Sequence, residues 1–543
     1  MQIMRRKANC RVLLYTCSVL LLTACSIFRQ HKSDSISPLD YGLRNAQTGE
    51  ERFEILYKTH SEAIRLGKTV DYSGIKRIDL VIPKGAKSIP LAENTNFKGV
   101  TITVVNNNKK LFLFEYTREM HPITIKAQDV DKQNYTAQEL KKGLILLSIT
   151  DENLWVANRE GFNYGATRKD IVLIENGKGL DSPCSPYSTT ASSPSYLYRS
   201  VTNDEKSFEN LVFKRLPGST YMTKLVKFSN ENNIRIEDIT VTTPEGTLFG
   251  DQVIRVENCS NILIKGINID GTYSTKEKYG YGISLNTVWN VECTNIQANA
   301  PWGVFGDSNV HKIHLKNCNV NRFDIHCYGK DVLCEDCTFI GTGGVYSSVY
   351  GKIEYRRCTF NNDACPYLNR ADYNAYVFFD IVLKDCIVNP LKDRPYLFNL
   401  RTWSDKINER EELRIKCWPN VLIENLIVNL PEDIDAFDIF RVPRNYTNKE
   451  TVAGLSAISI KGLVFKYKKN APLVSLRISS TEVQLENPLV CSLDGVNLLS
   501  GNNDIVTQSG KTQKKRGSLV VNMKSSKGED VTIVNSHINN NNK

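Results

Sequence analysis

Arg322, Asp324 and His326 stand at alternate positions in the stretch "NRFDIHCYGKD", residues 321–331. On an extended strand these three share one face, while Phe323, Ile325 and Cys327 share the other. Imidazole takes up and releases protons near neutral pH. A guanidinium grips a carboxylate two-pronged or steadies a developing negative charge. The chain has only seven histidines, so one placed beside an arginine and an aspartate marks a candidate proton-handling site. A solvated strand face with an Arg–Asp pair would show the same pattern. The elements that position the three residues have to decide between these readings.

Those elements repeat. Ten-residue windows such as "NIRIEDITVT" from Asn233, "NILIKGINID" from Asn261, "KIHLKNCNVN" from Lys312, "DVLCEDCTFI" from Asp331 and "NVLIENLIVN" from Asn420 share one pattern. Positions two, four, seven and nine are apolar, which is two short strands joined by a bend that flips their phase. Position six reads Asp238, Gly266, Asn295, Asn317, Asp336, Arg357, Asp385, Asn425, Gly462 and Asn535. All but Arg357 are residues that tolerate a left-handed backbone. Stacked corners at this period predict an all-β fold, a right-handed parallel β-helix. The leucine–asparagine consensus of leucine-rich repeats is missing. Cys318, Cys337, Cys358 and Cys386 all occupy position seven, and Cys293 and Cys334 position four. They are expected as buried free thiols in an inward ladder, not as disulfides or a zinc site.

The N-terminus carries Arg5, Arg6, Lys7 and Arg11, then an apolar run from Val12 to Leu22, then "LTAC". The run is too short to span a bilayer and its flanks suit an export signal. The stretch resembles a bacterial lipobox, which implies lipidation of Cys25 and, with Ser26 following, an outer-membrane address on either face. Residues 1–24 would then be a lipoprotein signal peptide and 25–48 a linker. Loss of that signal lowers the formal net charge from +10 to +6. Such a bias suits an acidic partner, and without a dense basic stripe no nucleic acid is expected.

"GEERFEILYKTHSEAIRLGKTV" (residues 49–70) reads as an amphipathic helix, followed by a strand and a Pro-Lys-Gly turn. Residues 49–230 are expected to form an N-terminal cap with early irregular coils, and 231–543 the regular β-helix. The helix, strand and turn resemble the N-terminal cap of the pectate-lyase superfamily. With the repeats, the whole pattern resembles the β-helix polysaccharide lyases found as lipoproteins in gut Bacteroidota. The resemblance implies a substrate cleft on the third strand of each coil: "YGISL" (281–285), "WGVFG" (302–306), "FDIHC" (323–327) and "VYSSV" (345–349). Stacked strand start on strand start, Asp324 falls beside Gly303, Gly282 and Tyr346, and His326 near Phe305. His311, His314 and His60 are assigned to surface or cap. Short coils between 290 and 352, flanked by longer ones, would make a trough for an extended polymer.

Two chemistries compete for that trough. Glycoside hydrolysis needs two flanking carboxylates, for which Asp324 and Asp307 are the candidates. "YGYGISL" carries Tyr281 where the polygalacturonases of the resembling superfamily have a histidine, and their adjacent-aspartate motif is absent. β-Elimination from a uronate needs a base, a cation for the developing charge and an acid for the leaving oxygen. His326 is the expected base, Arg322 the neutraliser, Tyr281 or Tyr346 the acid and Lys330 a reserve base, with Asp324 available to orient a neighbour. Asp324, Tyr279, Trp302, Phe305 and Tyr346 are the expected substrate-binding residues. Members of the resembling superfamily include Ca²⁺-dependent enzymes, although no acidic cluster here requires the ion. The expectation is a monomeric polysaccharide lyase on an acidic glycan of the chondroitin or dermatan type. A glycoside hydrolase and a non-catalytic glycan-binding lipoprotein are the alternatives.

Overall fold

A computed structural model describes residues 34–539. Excepted are 109–110, 159–164, 184–186, 189–192, 220–222, 244–251, 272–280, 299–302, 327–328, 341–343, 347–348, 362–364, 370–377, 392–394, 400–417, 432–435, 442–449, 453, 467–473, 498–504, 508–517 and 526–531. Cys25, Tyr279 and Trp302 therefore lie outside the described residues.

The left-handed corners fall where the repeat puts them. Asp238, Gly266, Asn295, Asn317, Asp336, Arg357, Asp385, Asn425 and Gly462 all have φ between 50° and 72°. Arg357, which has no intrinsic tolerance for this conformation, lays its guanidinium on Asp336 of the preceding corner at 2.7 and 2.9 Å. A second set of left-handed corners opens the windows, at Asn233, Asn261, Asn290, Lys312 and Asp331. Between corners, each strand pairs in parallel with its equivalent one coil on. One inward file runs Ile264, Cys293, Leu315, Cys334, Tyr355, Leu383, Ile423 and Ile460. Every member of that file is essentially solvent-free, and the apolar core continues from the cap through the coils to Val496.

Among the described residues the cysteines are buried free thiols, and all but Cys365 belong to this core. Cys318, Cys337, Cys358 and Cys386 repeat one arrangement. Each Sγ donates to the carbonyl two residues back and to a carbonyl of the preceding coil, at 3.1–3.5 Å. Burial pushes the Cys259 and Cys491 thiols up to about 12.

The cap helix is Gly49–Leu66, opened by a reciprocal Thr48–Glu51 capping box and closed by Gly67 at φ 62°. It buries Phe53, Leu56, His60 and Ala63 against the first coil. Gly49 approaches so closely that a Cβ would sit 2.6 Å from the Val81 nitrogen. Residues expected as linker instead join the cap: Ser35–Ile36 pairs with Thr69–Val70, and Pro38–Tyr41 forms a 3₁₀ turn.

Residues 121–201 are not irregular coils. His121–Ile123, Leu144–Asn158, Gly165–Glu175, Lys178–Gly179 and Pro194–Val201 form a separate five-stranded antiparallel sheet. One face holds its own core, including Val130, Leu147, Val172 and Tyr187. The other face presents Leu146, Ile171, Leu173 and Val201 to Trp289 of the β-helix. The sequence carries alternating strands here but none of the corner residues that bend a chain into coils. Among the described residues, no helix is long and apolar enough to cross a membrane.

Candidate active site

Three consecutive coils build the site. Tyr281 opens the strand Tyr281–Thr294, Gly306 lies in Gly303–Lys316, and Asp324 is central in Phe323–Ile325. The strand phase is the expected one. Phe323 and Ile325 are buried in the core, and Arg322, Asp324 and His326 lie on the other face. The stacking differs from the expectation. Gly306, not Gly303, pairs with Asp324, and Asp324 pairs with Val345, not Tyr346. Turn length is the cause. Six residues separate Ala298 from Phe305, whereas two separate Val320 from Phe323, although Ala298 and Val320 are themselves paired. The repeat fixes the two window strands and leaves the following turn free, so strand starts do not align.

With that register the side chains converge. Tyr281 Oη lies 2.8 Å from Asp324 Oδ2 and 2.7 Å from His326 Nε2. The two rings meet edge to face at 5.3 Å. Arg322 holds Asp324 two-pronged, Nε to Oδ1 and Nη2 to Oδ2, both at 2.6 Å. His326 Nε2 stands 3.4 Å from Asp324 Oδ2, and its backbone N–H donates to the Asp307 carbonyl at 2.8 Å. Asp324 is wholly covered, while Arg322 and His326 keep 12 % and 17 % of their side chains exposed. Burial alone would raise the Asp324 pKa. The His326 hydrogen bond and the Arg322 charge outweigh it and hold the carboxyl below its ordinary value. The group is a charge-balanced Arg–Asp pair supporting a Tyr–His pair that reaches the surface.

Several expected roles change. Asp324 cannot touch a substrate, because Tyr281, Arg322 and His326 enclose it; it positions the other three. Phe305 is not a sugar platform: it faces the core, stacked edge to face on Phe323 at 5.5 Å. Tyr346 pairs in register with Ile325, a core position, and its side chain lies outside the described residues. Lys330 is not beside His326 Nε2. Its Nζ is held by Asp181 Oδ1 at 3.1 Å and by the Ser182 carbonyl and hydroxyl at 3.1 and 2.8 Å. Asp181 lies in the bend that follows the Lys178–Gly179 strand of the accessory antiparallel sheet, and it also takes the Trp289 indole N–H and Lys312. Those partners overcome the burial penalty and bring its carboxyl down to about 2.

The histidines divide three ways. His60 is in the cap, as expected, and His314 is part-exposed beside Glu335. His311 is neither surface nor cap. The accessory sheet covers it completely, with Asp170 Oδ1 2.7 Å from its Nε2 and Arg168 stacked on Tyr187 nearby. Nothing in the repeat says which outward face a second sheet will cover.

Asp307 faces the core in the file of Ile325. Its Oδ1 accepts from the Leu285 backbone at 2.9 Å, and its Oδ2 has no hydrogen-bond partner among the described residues. Burial, reinforced by the Asp324 charge, raises its pKa well above the carboxylate range. Gly306 was missed by sequence reasoning. The Tyr281 ring occupies the space a side chain there would need. Its only signal is a glycine inside an otherwise continuous strand. Among the described residues, no three His, Cys, Asp or Glu side chains gather as a metal-binding group. A groove of about 370 Å³ on another outward face is lined by Glu292, His314, Leu333 and Glu354 among others. Its Glu354 is already paired with Lys352 and Arg356.

No protein-family model matches this chain, and no curated protein matches its sequence. Solved structures do match. The tailspike protein gp49 from Pseudomonas phage LKA1 superposes with a TM-score of 0.54 at 12 % identity, covering 85 % of this chain and 80 % of its own. The gp54 tailspike of Acinetobacter baumannii bacteriophage AP22, in complex with A. baumannii capsular saccharide, gives 0.51 at 13 % identity, covering 83 % and 79 %. At these identities the likeness establishes the fold. The chain is a right-handed parallel β-helix.

Proposed function

We propose that the protein degrades an acidic, uronate-containing polysaccharide by β-elimination, with Tyr281 and His326 as the proton-handling pair. One observation carries this reading. The part-exposed groups are a tyrosine and a histidine in hydrogen bond, with Arg322 committed to Asp324, while Asp324 and Asp307, the carboxylates considered for hydrolysis, are enclosed. Asp324 is enclosed and paired with Arg322, and Asp307 is wholly buried facing the core, so the two cannot flank a glycosidic bond. The AP22 tailspike, a protein of similar fold, is seen in complex with a capsular saccharide, which supports a saccharide as the ligand of this chain. Arg322 acts through Asp324, setting the charge against which the Tyr–His pair works. The net positive balance suits an anionic polymer, and glycosaminoglycans of the chondroitin or dermatan type are the substrates to try first.

The test is the ultraviolet absorbance of an unsaturated uronide on a panel of uronate polymers. Tyr281→Phe, which keeps the ring and removes the hydroxyl, is expected to lower turnover by ~10² or more. New reducing ends without unsaturation would replace this reading with hydrolysis. Binding without cleavage would replace it with a glycan-binding role. Export and lipidation at Cys25 belong to the same proposal. Cys25→Ala should move the protein from membrane to soluble fraction, since one chain contributes ~0.8 kcal/mol per buried CH₂.

A further inference from the structure

Tyr281 Oη and His326 Nε2 are 2.7 Å apart, and the tyrosine ring, at the start of its strand, lies over Gly306 with its hydroxyl on Asp324, on the outward side where His326 also stands. That contact constrains the stereochemistry of any elimination between them. An anti elimination takes the α proton from one face of the sugar ring and protonates the β oxygen on the other. The ring then lies between base and acid, which roughly doubles the ~3–3.5 Å approach of each reacting atom. Two groups in hydrogen-bond contact cannot stand on opposite sides of a pyranose.

We infer that this site eliminates syn, and therefore takes uronates whose α proton and β oxygen lie on the same ring face. D-Glucuronate and D-mannuronate meet that condition. L-Iduronate, L-guluronate and D-galacturonate do not. The inference rests on the β-elimination reading and narrows it to one stereochemical class of substrate.

The proton path follows from the contacts. Tyr281 Oη takes the α proton as its own proton passes to Asp324 Oδ2, to which it donates at 2.8 Å. The electron pair of the broken carbon–hydrogen bond moves into the uronate carboxylate. It returns to form the carbon–carbon double bond as the β carbon–oxygen bond breaks. The leaving oxygen keeps the electrons of that bond and takes a proton from Tyr281, which recovers one from Asp324. The enzyme ends as it began, and nothing is oxidised or reduced. Asp324 Oδ2 holds the relayed proton, while His326 Nε2–H, 2.7 Å from Tyr281 Oη, steadies the charge on the tyrosine oxygen. Arg322 keeps that aspartate ionised for the purpose.

Polymers that differ only at the α carbon test this directly. Desulfated chondroitin is set against desulfated dermatan, and polymannuronate against polyguluronate, with polygalacturonate as a fifth substrate. Unsaturated product is followed with the intact protein. The expected result is product from a glucuronate or mannuronate polymer and none from its epimer, with a loss of at least 100-fold in Tyr281→Phe. Product from iduronate, guluronate or galacturonate overturns the syn inference while leaving elimination standing. Full activity of Tyr281→Phe on the accepted polymer overturns the relay. Absence of unsaturated product from all five overturns the elimination reading itself, and this inference with it.

Discussion

The aromatic ring of Tyr281 lies across Gly306, one coil on, in space that no other residue type at 306 would leave open. The tyrosine must cross that coil to reach Asp324 and His326 in the next. Gly306 is not at a left-handed corner, so its value is the missing Cβ and not backbone freedom.

Gly306→Ala is therefore expected to act on turnover more than on folding. The methyl group displaces the Tyr281 ring and breaks both of its hydrogen bonds, lowering turnover at least tenfold. The overpacking costs about 1–3 kcal/mol. Steady-state kinetics beside a thermal melt would show it, and unchanged turnover in a folded variant would mean that the tyrosine is not held by this contact.

Arg322 and Asp324 should behave as a unit. Arg322→Ala leaves an enclosed carboxylate without its cation, at a cost of ~3–5 kcal/mol. The double variant Arg322→Ala/Asp324→Asn removes the charge as well and should recover most of that loss. Stability recovery without recovery of turnover is the expected pattern, read by denaturant unfolding and initial rates. An Arg322→Ala protein as stable as the parent would contradict the buried pair.

The sequence made the window strands legible, because inward positions must be apolar and corners must be Gly, Asn or Asp. It also put Arg322, Asp324 and His326 on one face with Tyr281 nearby. It did not reveal which glycine faced Asp324, since that depends on a turn four residues longer in one coil than in the next. Phe305 was misplaced for the same reason. Lys330 and His311 were misread because the accessory sheet is specified by contacts from residues 168–182, distant in sequence and outside the repeat. Local periodicity encodes the coil. It does not encode what docks on the coil.

The thiol ladder should be silent in the native state. Cys318, Cys337, Cys358 and Cys386 are buried and each is engaged with two carbonyls. Labelling by a maleimide is expected only at the rate of unfolding, and at all four together once denaturant is added. Rapid labelling of folded protein at any of them, mapped by mass spectrometry, would place that coil out of register.

His60 makes the cap sensitive to acid. Its Nδ1 accepts from the Ala92 backbone at 3.3 Å, so Nε2 carries the proton and donates to the Tyr72 hydroxyl at 2.8 Å. Burial in the cap lowers its pKa from 6.5 to about 3. The folded state therefore binds the proton less readily than the unfolded chain. The neutral imidazole's contribution is complete above pH 6.5 and is lost progressively as pH falls from 6.5 through about 3. Two pH units into that window, the linkage amounts to roughly 2–3 kcal/mol, at about 1.4 kcal/mol per unit. His60→Gln has no such titration. Its melting temperature should fall less than that of the parent between pH 7 and pH 4.5, even if it starts lower for want of one hydrogen bond. Parallel pH profiles for the two proteins would show that the cap's acid sensitivity lies elsewhere. A flatter profile in the variant would assign it to the His60–Tyr72 contact, because Gln at this position keeps the helix face polar while removing the only proton that titrates there in this range.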